Sequence, residues 1–296
     1  MPEIQSSSSL DFSLLGPVRA RLGGVELDLG APQQRTVLAM LLLREGAVAT
    51  LGELIEGLWG PEPPRSAIAS IRTYMSRLRS VLDDAGAGMD TRVDSVRGGY
   101  VLHTLHHAVD VSRFQRHTAR GAEAARRGDW LTTVAEHGAA LKLWHGQPLV
   151  GALGPYVEGQ RLRLQQLAAA ARVDLFRAMV GLGRYGEALP ELAAMAAAHP
   201  LREDLQGLLM TALYGSGRVA EALQQYQQTR RALIDDLGIE PGVQLREVHQ
   251  RILAGDLTLA AAVSGPPAPA GRTDRRLLAP HRVRTNVRLS RRRSLA

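Results

Sequence analysis

Two heptapeptides 34 residues apart limit the fold more than any other feature of the chain. Gly183-Arg184-Tyr185-Gly186-Glu187-Ala188-Leu189 recurs as Gly217-Arg218-Val219-Ala220-Glu221-Ala222-Leu223. This is the tetratricopeptide period, and the motif suits the second helix of such a unit. The small alanine lets paired helices approach closely while the leucine fills the seam. Leu175 with Leu209 and Met179 with Leu213 keep the same offset. Upstream, 112–127 and 130–144 read as a further helix pair around Gly128-Asp129. An α-solenoid is therefore expected over residues 108–255.

The N-terminal third reads differently. Residues 1–10 are short and Ser-rich and are expected to be disordered. Residues 12–29 alternate in short runs broken at Gly16-Pro17 and Gly23-Gly24, the pattern of antiparallel strands. Pro32 suits the first position of a helix running to Arg44, with Val37, Leu38, Leu41 and Leu42 inward. Thr50 is placed to cap a second helix ending at Leu58. A proline-rich turn, 60–64, precedes a third helix over 68–82. Two strand-like runs flanking Arg97-Gly98-Gly99 form a hairpin signal. Strands, three helices and a terminal hairpin predict a winged helix-turn-helix over residues 11–106. The fold class is mainly α with a small α+β domain: a winged helix-turn-helix followed by a tetratricopeptide-like α-solenoid.

The third helix carries the functional signal. Ile68, Ile71, Met75, Leu78 and Leu82 recur at the spacing of one buried face. Arg72, Thr73, Ser76, Arg77 and Arg79 lie off that face, and no acid occurs between Glu62 and Asp83. Guanidinium forks match phosphate oxygens and the acceptor edge of guanine. A solvated surface is the plain alternative, but the strands, proline-rich turn and hairpin around this helix favour DNA. In that setting Arg97, at the hairpin tip, is placed for a minor groove.

Charge has to be localised before it means anything. The chain carries +7, but residues 264–296 hold nine arginines and one acid, +8 in all, so the rest sums to −1. That tail, with its Pro-rich start, is expected to be disordered. No cysteine is present, which removes disulfides, thiolate metal sites and cysteine nucleophiles. The single lysine, Lys142, follows no glycine-rich loop, so no P-loop exists. His103, His106 and His107 fall where a strand meets a linker, and ordinary polar roles are expected for them. Trp130 and Trp144 are expected to fill the helix seam. No cofactor is indicated, no catalytic constellation is found, and an enzyme is the weaker class. With no apolar run long enough to span a bilayer and no signal-peptide pattern, a cytoplasmic, nucleoid-associated protein is expected.

Longer segments carry a family resemblance. LWGPEPPRSAIASIRTYMSRLR (58–79), VRGGYVL (96–102), DVSRFQRH (110–117), LKLWHGQPL (141–149) and EALQQYQQTRRALIDDLGIEPGVQL (221–245) resemble the SARP family, the Streptomyces antibiotic regulatory proteins. Leu237-Gly238-Ile239-Glu240-Pro241-Gly242 is the most specific element. The resemblance spans residues 12–255. It implies an OmpR-type winged helix and a bacterial transcriptional activation domain that activate an antibiotic biosynthetic gene cluster. It also implies double-stranded DNA with direct repeats as the target, a homodimer at least on DNA, and contact with RNA polymerase. Carried over by position, Arg77 reads a base, Ser76 and Arg79 hold phosphates, Arg97 enters the minor groove, and Arg72 and Thr73 serve either role. Gly60, Glu62 and Arg65 become polymerase-contact candidates. The basic tail departs from the family pattern. Without a nucleotide-binding domain after the repeats or a receiver domain before the winged helix, a small family member is expected rather than a two-component regulator. Two rival readings stand beside this one: a helical-repeat adaptor that binds DNA weakly and without sequence preference, and a repressor that senses a small ligand.

Overall fold

The computed structural model describes residues 10–85 and 90–256. The expectations for residues 1–9 and for the arginine-rich tail lie outside them. Strands β1 (Leu10–Ser13), β2 (Arg19–Leu22) and β3 (Val25–Glu26) form an antiparallel sheet in chain order. Leu10 pairs with Leu22 and is buried, so it belongs to β1 and not to the N-terminal segment expected to be disordered. Helix α1 (Pro32–Leu42) starts with proline at its first turn. It stops short of the expected Arg44 because Glu45 (φ 51°) and Gly46 (φ 84°) take left-handed conformations that end the helix. Strand β4 (Ala49–Thr50) leads directly into α2 (Leu51–Trp59). Thr50 and Glu53 form a capping box there: the Glu53 amide donates to Thr50 Oγ1 at 3.3 Å, and the Thr50 amide to Glu53 Oε2 at 2.8 Å.

Helix α3 (Ala67–Asp84) packs on α1 and α2 through Ala67, Ile71, Met75, Leu78 and Leu82. Ile68 is a correction. It is 47% exposed, and Ala67 takes the inward position at this end. Strands β5 (Arg92–Val96) and β6 (Gly99–His103) make the hairpin, and β4 joins them in the order β4-β6-β5. Gly99 is required at that junction, because a Cβ would overlap the Ala49 carbonyl oxygen.

After a 3-10 turn (His106–Ala108) the chain is helical: α4 (Asp110–Arg126), α5 (Trp130–Lys142), α6 (Pro155–Gly181), α7 (Tyr185–Ala198), α8 (Glu203–Gly215), α9 (Val219–Leu237) and α10 (Val243–Leu253). From α4 to α9 each helix packs on the next, the arrangement of a solenoid. The repeated heptapeptide has a repeated geometry. Gly183 (φ 72°) and Gly217 (φ 78°) turn the chain, and the amides of Arg184 and Arg218 donate to Met179 O and Leu213 O, both at 2.9 Å. Ala188 and Ala222 are fully buried where the helices meet. In each copy arginine grips glutamate one turn on, Arg184–Glu187 and Arg218–Glu221, with Nε to Oε1 at 2.7 Å. Exposed pairs of this kind add little stability and chiefly mark the repeat.

Two hydrophobic cores result, and they divide within α6. The first runs from Phe12 through α1–α3 to Val111, Phe114, Ala140, Leu149, Val157, Leu164 and Ala171. The second begins at Val173 and continues through α7–α10. Helices α4 and α5, expected to belong with the solenoid, thus also close the core of the winged helix. Backbone bonds reinforce this closure: Val18 N donates to Val150 O at 2.8 Å, and Leu149 N to Leu14 O at 2.9 Å. Thr36 Oγ1 donates to Leu153 O at 2.8 Å and accepts from Leu153 N at 2.9 Å. Phe114 meets Trp144 edge-on with centroids 5.6 Å apart, which places Trp144 in the seam.

Candidate nucleic-acid interface

The turn from α2 to α3 begins at Gly60 (φ 64°) and runs through exposed Pro61–Ser66 before Ala67 docks on the core. On the opposite side of α3 an exposed face presents Ala69, Arg72, Thr73, Ser76, Arg77 and Ser80. The three-and-four spacing that buries Ile71, Met75 and Leu78 is what turns these residues outward. Thr73 Oγ1 donates to Ala69 O at 3.0 Å, so its lone pairs stay available as acceptors. Small side chains alternate with arginines along about three turns, a surface that can approach the floor of a groove closely.

The charge on this face is uncommitted. Elsewhere in the winged helix, four arginines are matched to carboxylates, Arg19 and Arg21 to Glu26, Arg44 to Glu53 at 2.9 Å and Arg92 to Asp94 at 3.1 Å, and Arg35 Nε donates to Gly30 O. Arg65, Arg72, Arg77 and Arg97 have no such partner among the described residues. The acids of α3, Asp83 and Asp84, come only in its last turn. An array of unpaired guanidinium groups on a helix and a hairpin tip is chemically suited to a polyanion, because no internal salt bridge has to break first.

Arg79 stands apart from that array. It is half-buried, its Nε donates to Val93 O at 2.8 Å, and its Nη2 donates to Ser95 Oγ at 2.8 Å. Its guanidinium carbon lies 5.9 Å from the centre of the Tyr100 ring, within cation–π range. The residue implied by resemblance to hold a phosphate is thus tied to the hairpin. Arg97 occupies the two-residue turn with Gly98 (φ 89°) and is exposed.

The structure brings Arg72, Thr73, Ser76 and Arg77 onto one face and places Arg97 at the tip of the adjacent hairpin. Among the polymerase-contact candidates, Glu62 and Arg65 are exposed on the turn, while Gly60 is half-buried beside Pro155, the first residue of α6. Ser80 and Ala69 belong to the same face and were missed. Extending the spacing by one turn beyond Ser76 and Thr73 would have found them. His103 Nε2 lies 3.1 Å from Asp94 Oδ2, and His106 and His107 are exposed in the 3-10 turn. Among the described residues no group of three or more histidines and carboxylates is arranged to hold a metal ion, and no helix is long and apolar enough to cross a membrane.

Comparison with known proteins places these elements. Residues 25–102 match the family described as "Transcriptional regulatory protein, C terminal", and residues 109–253 match the "Bacterial transcriptional activator domain". The chain is 45% identical over 264 residues to regulatory protein AfsR of Streptomyces griseus, covering 88% of this chain and 26% of that protein. It is 32% identical to regulatory protein DnrI of Streptomyces peucetius, covering 88% of this chain and 97% of that one. The chain therefore spans about a quarter of the AfsR relative and nearly all of DnrI. Among solved structures, Mycobacterium tuberculosis EmbR in complex with a low affinity phosphopeptide superposes with a TM-score of 0.80 at 34% identity. That match covers 86% of this chain and 68% of EmbR.

Proposed function

Because the chain belongs to the SARP family of bacterial transcriptional regulators, we propose that it is a sequence-specific DNA-binding transcriptional activator and not an enzyme. The observation that carries this reading is the exposed face of α3, where Arg72 and Arg77 lie unpaired among Ala69, Thr73, Ser76 and Ser80. In this account α3 enters a major groove. Arg77 makes a bidentate contact with a base, Arg72 and Thr73 read bases or hold the strand, and Ser76 bonds a phosphate. Arg97 reaches the adjacent minor groove from the hairpin tip.

The rest of the proposal follows the family resemblance. The target is a pair of direct repeats near a promoter of an antibiotic or other secondary-metabolite gene cluster, occupied by two copies of the chain. Glu62 and Arg65, on the turn before α3, face RNA polymerase, and the helical repeats offer further protein contacts. The site of action is the cytoplasm, at the nucleoid.

Selection of bound fragments from the source genome at near-physiological salt tests the proposal. Enrichment of a few promoters with spaced direct repeats supports it. Recovery without sequence preference, lost as salt rises, contradicts it and favours the adaptor reading.

A further inference from the structure

We propose that Arg79 is a positioning residue that locks the hairpin against α3, so that Arg97 and the exposed face of α3 meet one stretch of duplex together. This rests on the DNA-binding reading above and departs from the phosphate contact that family resemblance assigns to Arg79. Three ties converge on one guanidinium: the Val93 carbonyl, the Ser95 hydroxyl and the face of Tyr100. They reach both strands of the hairpin, since Val93 and Ser95 lie in β5 and Tyr100 in β6. Among the described residues β5 is an edge strand, paired with β6 alone. Val93 packs in the core with the buried face of α3, and Arg79 adds the hydrogen bonds from α3 to this strand.

The lever explains why one residue matters. Arg97 lies four residues beyond Val93, about 13 Å along the strand. A tilt of about 15° at the base would move the tip by about 3 Å, more than a hydrogen bond tolerates. The planar fork serves the Val93 carbonyl and the Ser95 hydroxyl from two different nitrogens, Nε and Nη2, while lying near an aromatic ring. A lysine keeps the charge and loses the fork. Arg72 and Arg77, which lack such ties, are free to reach DNA.

The charge-conserving variant separates the two roles. On an operator duplex recovered by selection, the full chain is compared with Arg79→Lys, Arg97→Ala and the double variant by fluorescence anisotropy. Arg79→Lys is expected to lose affinity as Arg97→Ala does, roughly tenfold, the worth of one charge-assisted hydrogen bond. The double variant is expected to lose no more than Arg97→Ala alone. Hydroxyl-radical protection of the minor groove beside the α3 site is expected to vanish in Arg79→Lys, while the ranking of base substitutions under α3 persists. Ser95→Ala, which leaves α3 intact, is expected to weaken the same protection. Wild-type binding by Arg79→Lys, or losses that add in the double variant, overturns the proposal in favour of an independent phosphate contact. Unchanged minor-groove protection in both Arg79→Lys and Ser95→Ala overturns it equally. A wild-type chain with no sequence preference contradicts the DNA-binding reading itself.

Discussion

The carboxylate of Asp110, the first residue of α4, accepts the backbone amide of Leu14 with both of its oxygens, at 2.8 and 2.9 Å. Leu15 N and Val111 N donate to the same group at 2.9 and 2.7 Å. A single buried side chain at the start of α4 thus satisfies the backbone just after β1. Asp110→Ala leaves the Leu14 and Leu15 amides without partners in the core, at about 1–3 kcal/mol for each unsatisfied group. Chemical denaturation should show a loss of several kcal/mol. A loss below about 1 kcal/mol would mean that water replaces the carboxylate.

The same group makes stability depend on pH. Burial pushes the Asp110 carboxyl up to about 6 from an ordinary 3.8, against the lowering effect of the bonds from Leu15, Leu14 and Val111 and of nearby Arg113. A value raised in the folded state contributes stability that is fully present below the unfolded value, near 4, and lost as pH rises through about 6. The stability advantage of the wild type over Asp110→Ala is therefore expected to grow as pH falls from 7 to 5. A shrinking advantage would show that the amide donors hold the carboxyl low and outweigh burial.

Because the first core includes Phe114, Leu149, Val157 and Leu164, the winged helix shares its core with the helices that follow it. A fragment ending at residue 106 loses those side chains, Asp110 and the Leu153 backbone that Thr36 bonds. It is expected to show no cooperative thermal transition. A sharp transition near that of the full chain would contradict the shared core.

Gly99→Ala forces a Cβ onto the Ala49 carbonyl and must shift β4 or the hairpin. The cost should be about 1–3 kcal/mol, as for overpacking in a filled core. Amide exchange should localise the disturbance to β4 and β6. Protection equal to wild type throughout the hairpin would show that the junction yields without strain.

The features legible in the sequence were those whose cause is local. The repeat could be read because glycine at the turn and alanine at the seam each answer a steric demand within one helix pair. The face of α3 could be read because its spacing is short. Ile68 fits that spacing yet lies outside, since Ala67, four residues before Ile71, takes the buried place in the first turn of α3. Asp110 left no signal, because its partners are backbone amides about 95 positions earlier. The tie from Arg79 to Val93 likewise ends on a carbonyl, which any residue type supplies. The division of the cores within α6 was hidden too, since one continuous helix serves both.

DNA reading by the α3 face is tested most directly by the ratio of specific to nonspecific affinity for the wild type and Arg77→Ala at fixed salt. The expected result is a ratio lowered by about 1–3 kcal/mol, with preference relaxed at one base position in each repeat. If Arg77→Ala keeps both the affinity and the ranking of sequences, α3 does not read DNA through this residue, and the recognition face has been misassigned.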